Sequence, residues 1–147
     1  MKSLGLMVMA MVIFAVTVAA AEQPVGSINT LEGKVIISRS GARKVAIIGQ
    51  PIYQRDTVYT EADSRVGIIL RDDTTLSLGP ESALELQSYC FQPSERQFSL
   101  VVRMLKGTFA YLSGVMGKLA PEAIRLETPD SVIGIRGTHL LVEVKGS

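Results

Sequence analysis

The sequence has few of the residues on which enzymes, metal sites and disulfide-stabilised proteins depend. Its 147 residues include one cysteine, Cys90, one histidine, His139, and no tryptophan, and aromatic residues make up 5% of the chain. A single cysteine cannot form an internal disulfide, so stability must come from a buried hydrophobic core. Cys90 and His139 are also the only pair that could act as nucleophile and base, and nothing in the sequence places them together. We therefore expect a buried thiol, a surface imidazole and no catalytic residues.

The acidic residues form no pattern that is typical of a metal site. One cysteine and one histidine cannot build a tetrahedral zinc centre. Asp72 and Asp73 could hold a hard cation with help from Asp56 or Asp63, but their spacing fits no cation-binding loop. We interpret Asp72 and Asp73 as the solvated tip of a hairpin, because aspartate tolerates turn conformations. The sequence therefore predicts no metal and no cofactor.

The N-terminus has the three parts of a secretory signal. A short positive start with Lys2 precedes an apolar run at residues 4–18, and three alanines at residues 19–21 form an Ala-x-Ala cleavage site. We predict a signal peptide at residues 1–21, cleavage after Ala21 and an exported or periplasmic domain at residues 22–147. The alternative is an uncleaved membrane anchor, because residues 4–21 come close to the length that spans a bilayer. Lipid modification is not expected, since the only cysteine lies deep in the chain.

The charge balance argues against nucleic acid as a partner. Cleavage removes Lys2 from the 15 basic residues, which leaves 14 basic against 14 acidic side chains. A nucleic-acid-binding domain normally carries a basic surface with interleaved aromatic residues. Here the basic residues are scattered among acids, so we expect a different partner.

Short apolar segments separated by turn residues predict an all-β domain. Residues 66–70 and 74–78 flank Asp72 and Asp73 and predict one hairpin. Residues 100–105 and 108–112 flank Gly107 and predict a second. The only helical segment expected is a turn or two within residues 115–123. A sandwich, a roll and a solenoid-like stack remain open at this point.

Several clusters in a fixed order resemble the FecR domain, a periplasmic module named after the regulator of ferric citrate uptake. The similarity extends from about Val25 to Val144, and its most specific part is Thr128-Pro129-Asp130 followed by Ile133-Gly134-Ile135-Arg136-Gly137-Thr138. The family-motif residues, which the resemblance gives a structural or interaction role, are Gly49, Asp56, Thr60, Asp72, Gly107, Thr128, Pro129, Gly134, Arg136, Gly137 and Thr138. Asp73 stands where the family usually has glycine, which leaves the type of this turn open.

The resemblance implies a compact roll or solenoid-like stack of short antiparallel strands and hairpins that acts by binding. The best-known relatives are membrane-spanning anti-sigma regulators coupled to TonB-dependent receptors, whereas this chain begins with a signal and is expected to lack the part that holds a sigma factor. We therefore predict a non-enzymatic module in periplasmic signalling or envelope organisation, with an envelope protein or a cell-wall polymer as its partner. One alternative is a regulatory sensor that stays in the membrane through residues 1–21. The second is an enzyme that depends on Cys90 or His139.

The resemblance also raises the question of self-cleavage. In some anti-sigma relatives a Gly-Thr bond of this domain is cut when the threonine hydroxyl attacks the preceding carbonyl, and the resemblance places that bond at Gly137-Thr138. The neighbouring His139 is badly placed as a base, because successive strand residues point to opposite faces. We expect no cleavage, with Gly137 supplying a turn that directs Leu140, Val142 and Val144 into the core.

Overall fold

The computed structural model describes residues 22–135 and 137–145, and nearly all of this length is in strands and turns. The strands are β1 (Gly26–Glu32), β2 (Val35–Arg39), β3 (Ala42–Val45), β4 (Pro51–Ile52), β5 (Thr57–Thr60), β6 (Arg65–Leu70), β7 (Thr75–Leu78), β8 (Ala83–Gln92), β9 (Gln97–Leu112), β10 (Ile124–Glu127), β11 (Val132–Gly134) and β12 (His139–Val144). One short helix, α1 (Val115–Leu119), and two 3₁₀ turns, Pro93–Glu95 and Pro121–Ala123, complete the structure. The predicted signal peptide at residues 1–21 lies outside the described residues. None of the helices within the described ranges has the length and apolar character that crossing a bilayer requires.

The twelve strands form one curled sheet whose two halves share the long strand β9. Half A contains β4, β1, β6, β7, β9 and β12 in that order, and half B contains β3, β2, β5, β8, β9, β10 and β11. Neighbouring strands are antiparallel except for β9 and β10, which run parallel. The all-β prediction is therefore confirmed, and the curled sheet has the form of a roll.

The 16 residues of β9 pass from one half to the other through a bend at Gly107. Before the bend, β9 pairs with β8 on one side and β10 on the other. From the bend onward, residues 107–112 pair with β12, and residues 109–112 also pair with β7 on the opposite side. Gly107 has a φ of +102°, and a Cβ atom there would collide with Ser82. The predicted hairpin around Gly107 is wrong, because the glycine bends a continuing strand and does not reverse the chain. A bend and a turn both require a residue that tolerates positive φ, so sequence cannot distinguish them here.

The inner faces of both halves pack into one hydrophobic core. Alternate residues of each strand point inward, as the spacing of Leu76 and Leu78 on β7 predicted. The largest fully buried side chains are Ile28, Ile52, Ile68, Leu70, Leu78, Leu84, Leu86, Leu100, Met116, Leu126, Val35 and Val58. Leu140, Val142 and Val144 are partly buried against this core, in agreement with the direction predicted for β12. The expectation of a fully buried Cys90 is wrong, since this residue is only half-buried on β8.

The hairpin of β6 and β7 and the helical turn are both present as predicted. Asp73 occupies the left-handed conformation at the hairpin turn, with a φ of +67°. Glycine adopts this conformation without cost, and aspartate is among the few other residues that enter it readily. The aspartate therefore keeps the backbone geometry that glycine would supply.

Candidate interaction surface

Asp72 is a buried structural anchor and not part of a solvated tip, so that interpretation is wrong. Its side chain is 1% exposed. The carboxylate accepts hydrogen bonds from the hydroxyl of Tyr89 (3.1 Å), from both the backbone N–H (3.3 Å) and hydroxyl (2.7 Å) of Thr74, and from the backbone N–H of Met116 (3.0 Å). These bonds join the β6–β7 turn to β8 and to the start of α1. Burial, followed by the charge of Asp72, raises the pKa of Tyr89 well above its ordinary value.

Asp56 is a second buried anchor, with a side chain that is fully inaccessible. Its two carboxylate oxygens accept hydrogen bonds from Nε and Nη2 of Arg39, both at 2.8 Å, and one of them also accepts from the backbone N–H of Tyr53 at 2.9 Å. The bond to Asp56 is the main reason why the pKa of Arg39 is raised. The Arg39 guanidinium also lies 4.3 Å from the centre of the Tyr53 ring. Asp56 therefore fixes the turn before β5 against β2.

Thr60 and Ser82 hold the region around the β9 bend together. The Thr60 hydroxyl donates to the carbonyl of Gly79 at 2.6 Å and accepts from the backbone N–H of Ser82 at 2.8 Å. The Ser82 hydroxyl in turn accepts from the backbone N–H of Thr108 at 3.1 Å, next to Gly107. Four family-motif residues, Asp56, Thr60, Asp72 and Gly107, thus lie at buried turns and bends where they shape the backbone.

The remaining motif residues that the structure describes lie in or beside turns at the surface. Thr128 and Ser131 exchange backbone hydrogen bonds of 2.9 and 3.4 Å across Pro129, which closes the turn between β10 and β11. Gly49 and Gly137 have φ values of +84° and +88°. Gly134 is exposed at the end of β11, Thr138 is exposed before β12, and Arg136 lies outside the described residues.

Cys90 and His139 do not form a site. Cys90 lies opposite Ser99, near the start of β9, whereas His139 lies opposite Leu112 at the end of the same 16-residue strand. His139 is exposed on β12, as predicted. Among the described residues, no three histidine, cysteine, aspartate or glutamate side chains are grouped so that they could hold a metal ion. The four aspartates considered as cation ligands do not converge, since Asp56 and Asp72 are each held by hydrogen bonds in a different turn.

The middle of the outer face of half B is a charged, solvated surface, and the exposed apolar residues Val45 and Val132 lie on its edge strands. Across the middle of this face, β-strand pairing aligns Glu85 of β8 with Arg103 of β9 and Glu127 of β10. The Nε atom of Arg103 lies 3.6 Å from a carboxylate oxygen of Glu127. Alternating charges of this kind are typical of a surface that faces water.

The outer face of half A has a different composition, and we call it the groove face. Two adjacent rows of small or apolar side chains cross the strands here, whereas charged groups occur only at the margins. The first row contains Ser27, Ile69, Thr75, Leu112 and His139, and the second contains Thr30, Gly67, Ser77, Ala110 and Leu141. The second row forms the floor of an open groove of about 520 Å³. Leu141 is 72% exposed at the end of this row.

No motif or charge pattern in the sequence indicated this surface. Its signal is present in β12, where Leu140, Leu141 and Val142 are consecutive apolar residues. On a strand, consecutive residues point to opposite faces, so one of them must lie outside the core. Val45 is likewise 61% exposed on β3, and Ile47 and Ile48, which lie beyond the end of that strand, are 67% and 64% exposed.

Comparison with known proteins assigns the chain to a family. Residues 56–147 match the family described as FecR protein. The match begins later than the similarity from Val25 suggested, so Gly49 lies outside it. A solved structure described as a cell surface anchoring domain is 33% identical over 43% of this chain and 84% of its own length, with a TM-score of 0.41. None of the curated proteins is significantly similar to the chain. Because the family match covers more than half of the sequence, the chain belongs to the FecR family.

Proposed function

We propose that this protein is a non-enzymatic binding module of the cell envelope whose partner contacts the groove face. The supporting observation is the contrast between the two outer faces. The middle of half B presents alternating charges to solvent, with Val45 and Val132 exposed only on its edge strands, whereas half A presents a groove with a floor of small side chains and the exposed Leu141 at its end. Surfaces on which exposed apolar side chains are grouped and rimmed by polar residues commonly bind partners.

The chemistry of the groove favours a protein partner over a cell-wall polysaccharide. Sugar rings are bound largely by stacking on exposed aromatic side chains, whereas Phe109, the aromatic residue that lines the groove, is only 5% exposed because it belongs to the core. The groove instead offers threonine and serine hydroxyls, the apolar side chains of Ala110 and Leu141, and the opposite charges of Glu32 and Arg65 at one margin. These groups suit a protein surface with an apolar centre and a polar rim.

Site-directed photocrosslinking in intact cells tests this proposal. A photoreactive residue in place of Ala110, on the groove floor, should capture an envelope protein. The matched control carries the same residue in place of Glu85 on the outer face of half B, and we expect no capture there. Equal capture from both positions, or capture of polysaccharide from Ala110, would contradict the proposed surface. Substituting Cys90 by Ser should leave capture unchanged, because Cys90 lies on β8 in half B, away from the groove face. Loss of capture in a protein of normal stability would instead favour the enzyme alternative.

The proposed location in the envelope depends on residues 1–21. We propose that this segment is a signal peptide, because a positive start, an apolar run and the three alanines follow in the required order. Fractionation followed by N-terminal sequencing should recover a mature protein that begins at Glu22. Recovery of Met1 in the membrane fraction would instead support a retained sensor.

A further inference from the structure

The curled sheet has four edge strands, and three of them are protected against pairing. Strand β4 has two residues and begins with Pro51, and β11 has three residues. Strand β3 has Lys44 opposite Ile37, and because Ile37 is buried in the core, this lysine lies on the inner side of an edge strand. Short edges, proline and inward-pointing lysine are the features by which proteins prevent edge-to-edge association.

Strand β12 lacks these features. It has six residues, His139–Val144, without proline or lysine, and its register with β9 is continuous from one end to the other. Among the described residues, no strand pairs with its second edge. Its inward side chains Leu140 and Val142 are only partly buried, so the core is open on this side. A regular, apolar and unprotected edge of this length is a template for another strand.

The hydrogen bond between Ser113 and Thr138, just before β12, determines which peptide groups point toward the free edge. The N–H of Ser113 donates to the carbonyl of Thr138 at 2.7 Å, which directs the peptide groups of Thr138 toward β9. In antiparallel pairs the direction alternates along the strand. The N–H and C=O groups of His139, Leu141 and Glu143 therefore point away from β9, toward the free edge.

We propose that two copies of this chain associate through their β12 strands in an antiparallel pair centred on Leu141. A twofold axis at Leu141 places Leu141 opposite the partner's Leu141, and it places His139 opposite the partner's Glu143 at both ends. All three of these positions direct their peptide groups outward, so each opposed pair exchanges two backbone hydrogen bonds, six in total. The edge is thus complementary to itself in backbone hydrogen bonding and in apolar contact, and it places the imidazole of His139 beside the carboxylate of Glu143, which favours a second copy over an unrelated strand.

The pairing also has a consequence for the groove face. A twofold axis between antiparallel strands keeps paired side chains on the same side of the sheet. The groove faces of the two copies therefore join into one continuous surface, with the two Leu141 side chains at its centre. The exposed leucine gains an apolar neighbour about 5.5 Å away, measured between Cα atoms. This proposal does not depend on which protein occupies the groove.

Sedimentation equilibrium of the full chain, purified from the cell fraction in which it accumulates, tests the association. The native chain should form dimers at concentrations at which Leu141→Lys is a monomer, because like charges would then face each other across the axis. Val45→Lys is the matched control, since Val45 is similarly exposed on the edge strand β3, and it should dimerise as the native chain does. A native chain that is monomeric at every concentration, or a Leu141→Lys variant that dimerises equally well, would overturn the proposal.

A charge exchange tests the register. Glu143→Lys replaces the carboxylate opposite His139 of the second copy by an ammonium group and should raise the dimer Kd roughly tenfold, because the imidazole loses its acceptor at both ends of the symmetric pair. Adding His139→Glu places a carboxylate opposite each new lysine and should restore the native Kd. A double variant as weak as the single one would refute the register.

A crosslink keeps the proposal testable if a charged variant fails to fold. In a Cys90→Ser background, Leu141→Cys should form a symmetric intermolecular disulfide under mild oxidation, since the expected Cα separation lies within the range that disulfides span. Val45→Cys in the same background should not. Equal crosslinking of the two variants, or a disulfide from Leu141→Cys to a different protein, would contradict a self-paired edge.

Discussion

Replacing Asp72 by asparagine isolates the contribution of its buried carboxylate. Asparagine has nearly the same shape, so the change removes the charge and one acceptor oxygen and leaves packing intact. The two carboxylate oxygens together accept four hydrogen bonds, from Tyr89, Met116 and twice from Thr74. If the amide nitrogen replaces Oδ2, the N–H of Met116 faces another donor. If the amide nitrogen replaces Oδ1, the N–H of Thr74 faces another donor.

Two effects of opposite sign then compete. Removing a charge that is 1% exposed relieves the cost of keeping it out of water, which favours the variant. Leaving a buried N–H without an acceptor costs about 1–3 kcal/mol, and the remaining bonds lose the strength that an ionised acceptor provides. Since four donors already compensate the carboxylate, we expect the second effect to dominate and the free energy of unfolding to fall by about 2 kcal/mol. The total free energy of unfolding of a typical domain is only about 5–15 kcal/mol.

Urea unfolding followed by circular dichroism measures this loss, since the chain has no tryptophan to report by fluorescence. The midpoint should fall while the slope of the transition stays constant. Asp73→Asn is the matched control, because Asp73 is exposed and asparagine also tolerates its positive φ. We expect its unfolding free energy to stay within about 0.5 kcal/mol of the native value. An Asp72→Asn variant as stable as the native protein would refute the anchor role and show that relief of the buried charge prevails.

Three further predictions concern the tyrosines and the Gly137-Thr138 bond. Tyr89→Phe should lower the free energy of unfolding by about 2 kcal/mol, because the Tyr89 hydroxyl donates a hydrogen bond to a carboxylate. Tyr111→Phe should leave this free energy nearly unchanged, because the buried Tyr111 hydroxyl has no partner among the described residues. Equal losses in urea unfolding would contradict this distinction. The pKa of Tyr89 is higher in the folded than in the unfolded state, so folding should lose stability as the pH rises above 10, and Tyr89→Phe should flatten that decline in thermal melts. Intact mass of the purified protein should show no species that ends at Gly137, and a fragment that begins at Thr138 would refute this reading of the bond. Gly137→Val should lower the melting temperature, because the φ of +88° strains a β-branched residue.

Strand content and strand direction could be predicted from sequence because they depend on local spacing. Leu76 and Leu78 lie two residues apart, and Asp72 and Asp73 interrupt the apolar run before them. These two facts are sufficient for a hairpin with one buried face. The order of strands in the sheet depends on contacts between distant residues, such as the parallel pairing of β10 with β9. No local pattern records such contacts.

The burial of Asp72 illustrates why the anchors could not be predicted. An aspartate beside a turn is usually solvated, and the sequence around Asp72 fits that expectation. Its burial results from Tyr89, 17 positions further on, and from Met116, 44 positions further on, which supply hydrogen-bond donors from β8 and α1. A buried polar group is stable only where such donors converge. That convergence is a property of the tertiary structure and not of the local sequence.

The positions of the motif residues explain why family membership indicates a fold more directly than it indicates a partner. Asp56, Thr60, Asp72 and Gly107 hydrogen-bond to the backbone at turns or occupy a bend, and the backbone is what members of a family with one fold have in common. The groove face and the β12 edge instead present side chains such as Ala110, Leu141 and Glu143, whose substitution would alter the surface without disturbing those turns. A scaffold of this kind can change its partner while the motif stays the same. Under the proposed function, the motif residues should affect binding only through the stability of the fold that carries the exposed rows of half A.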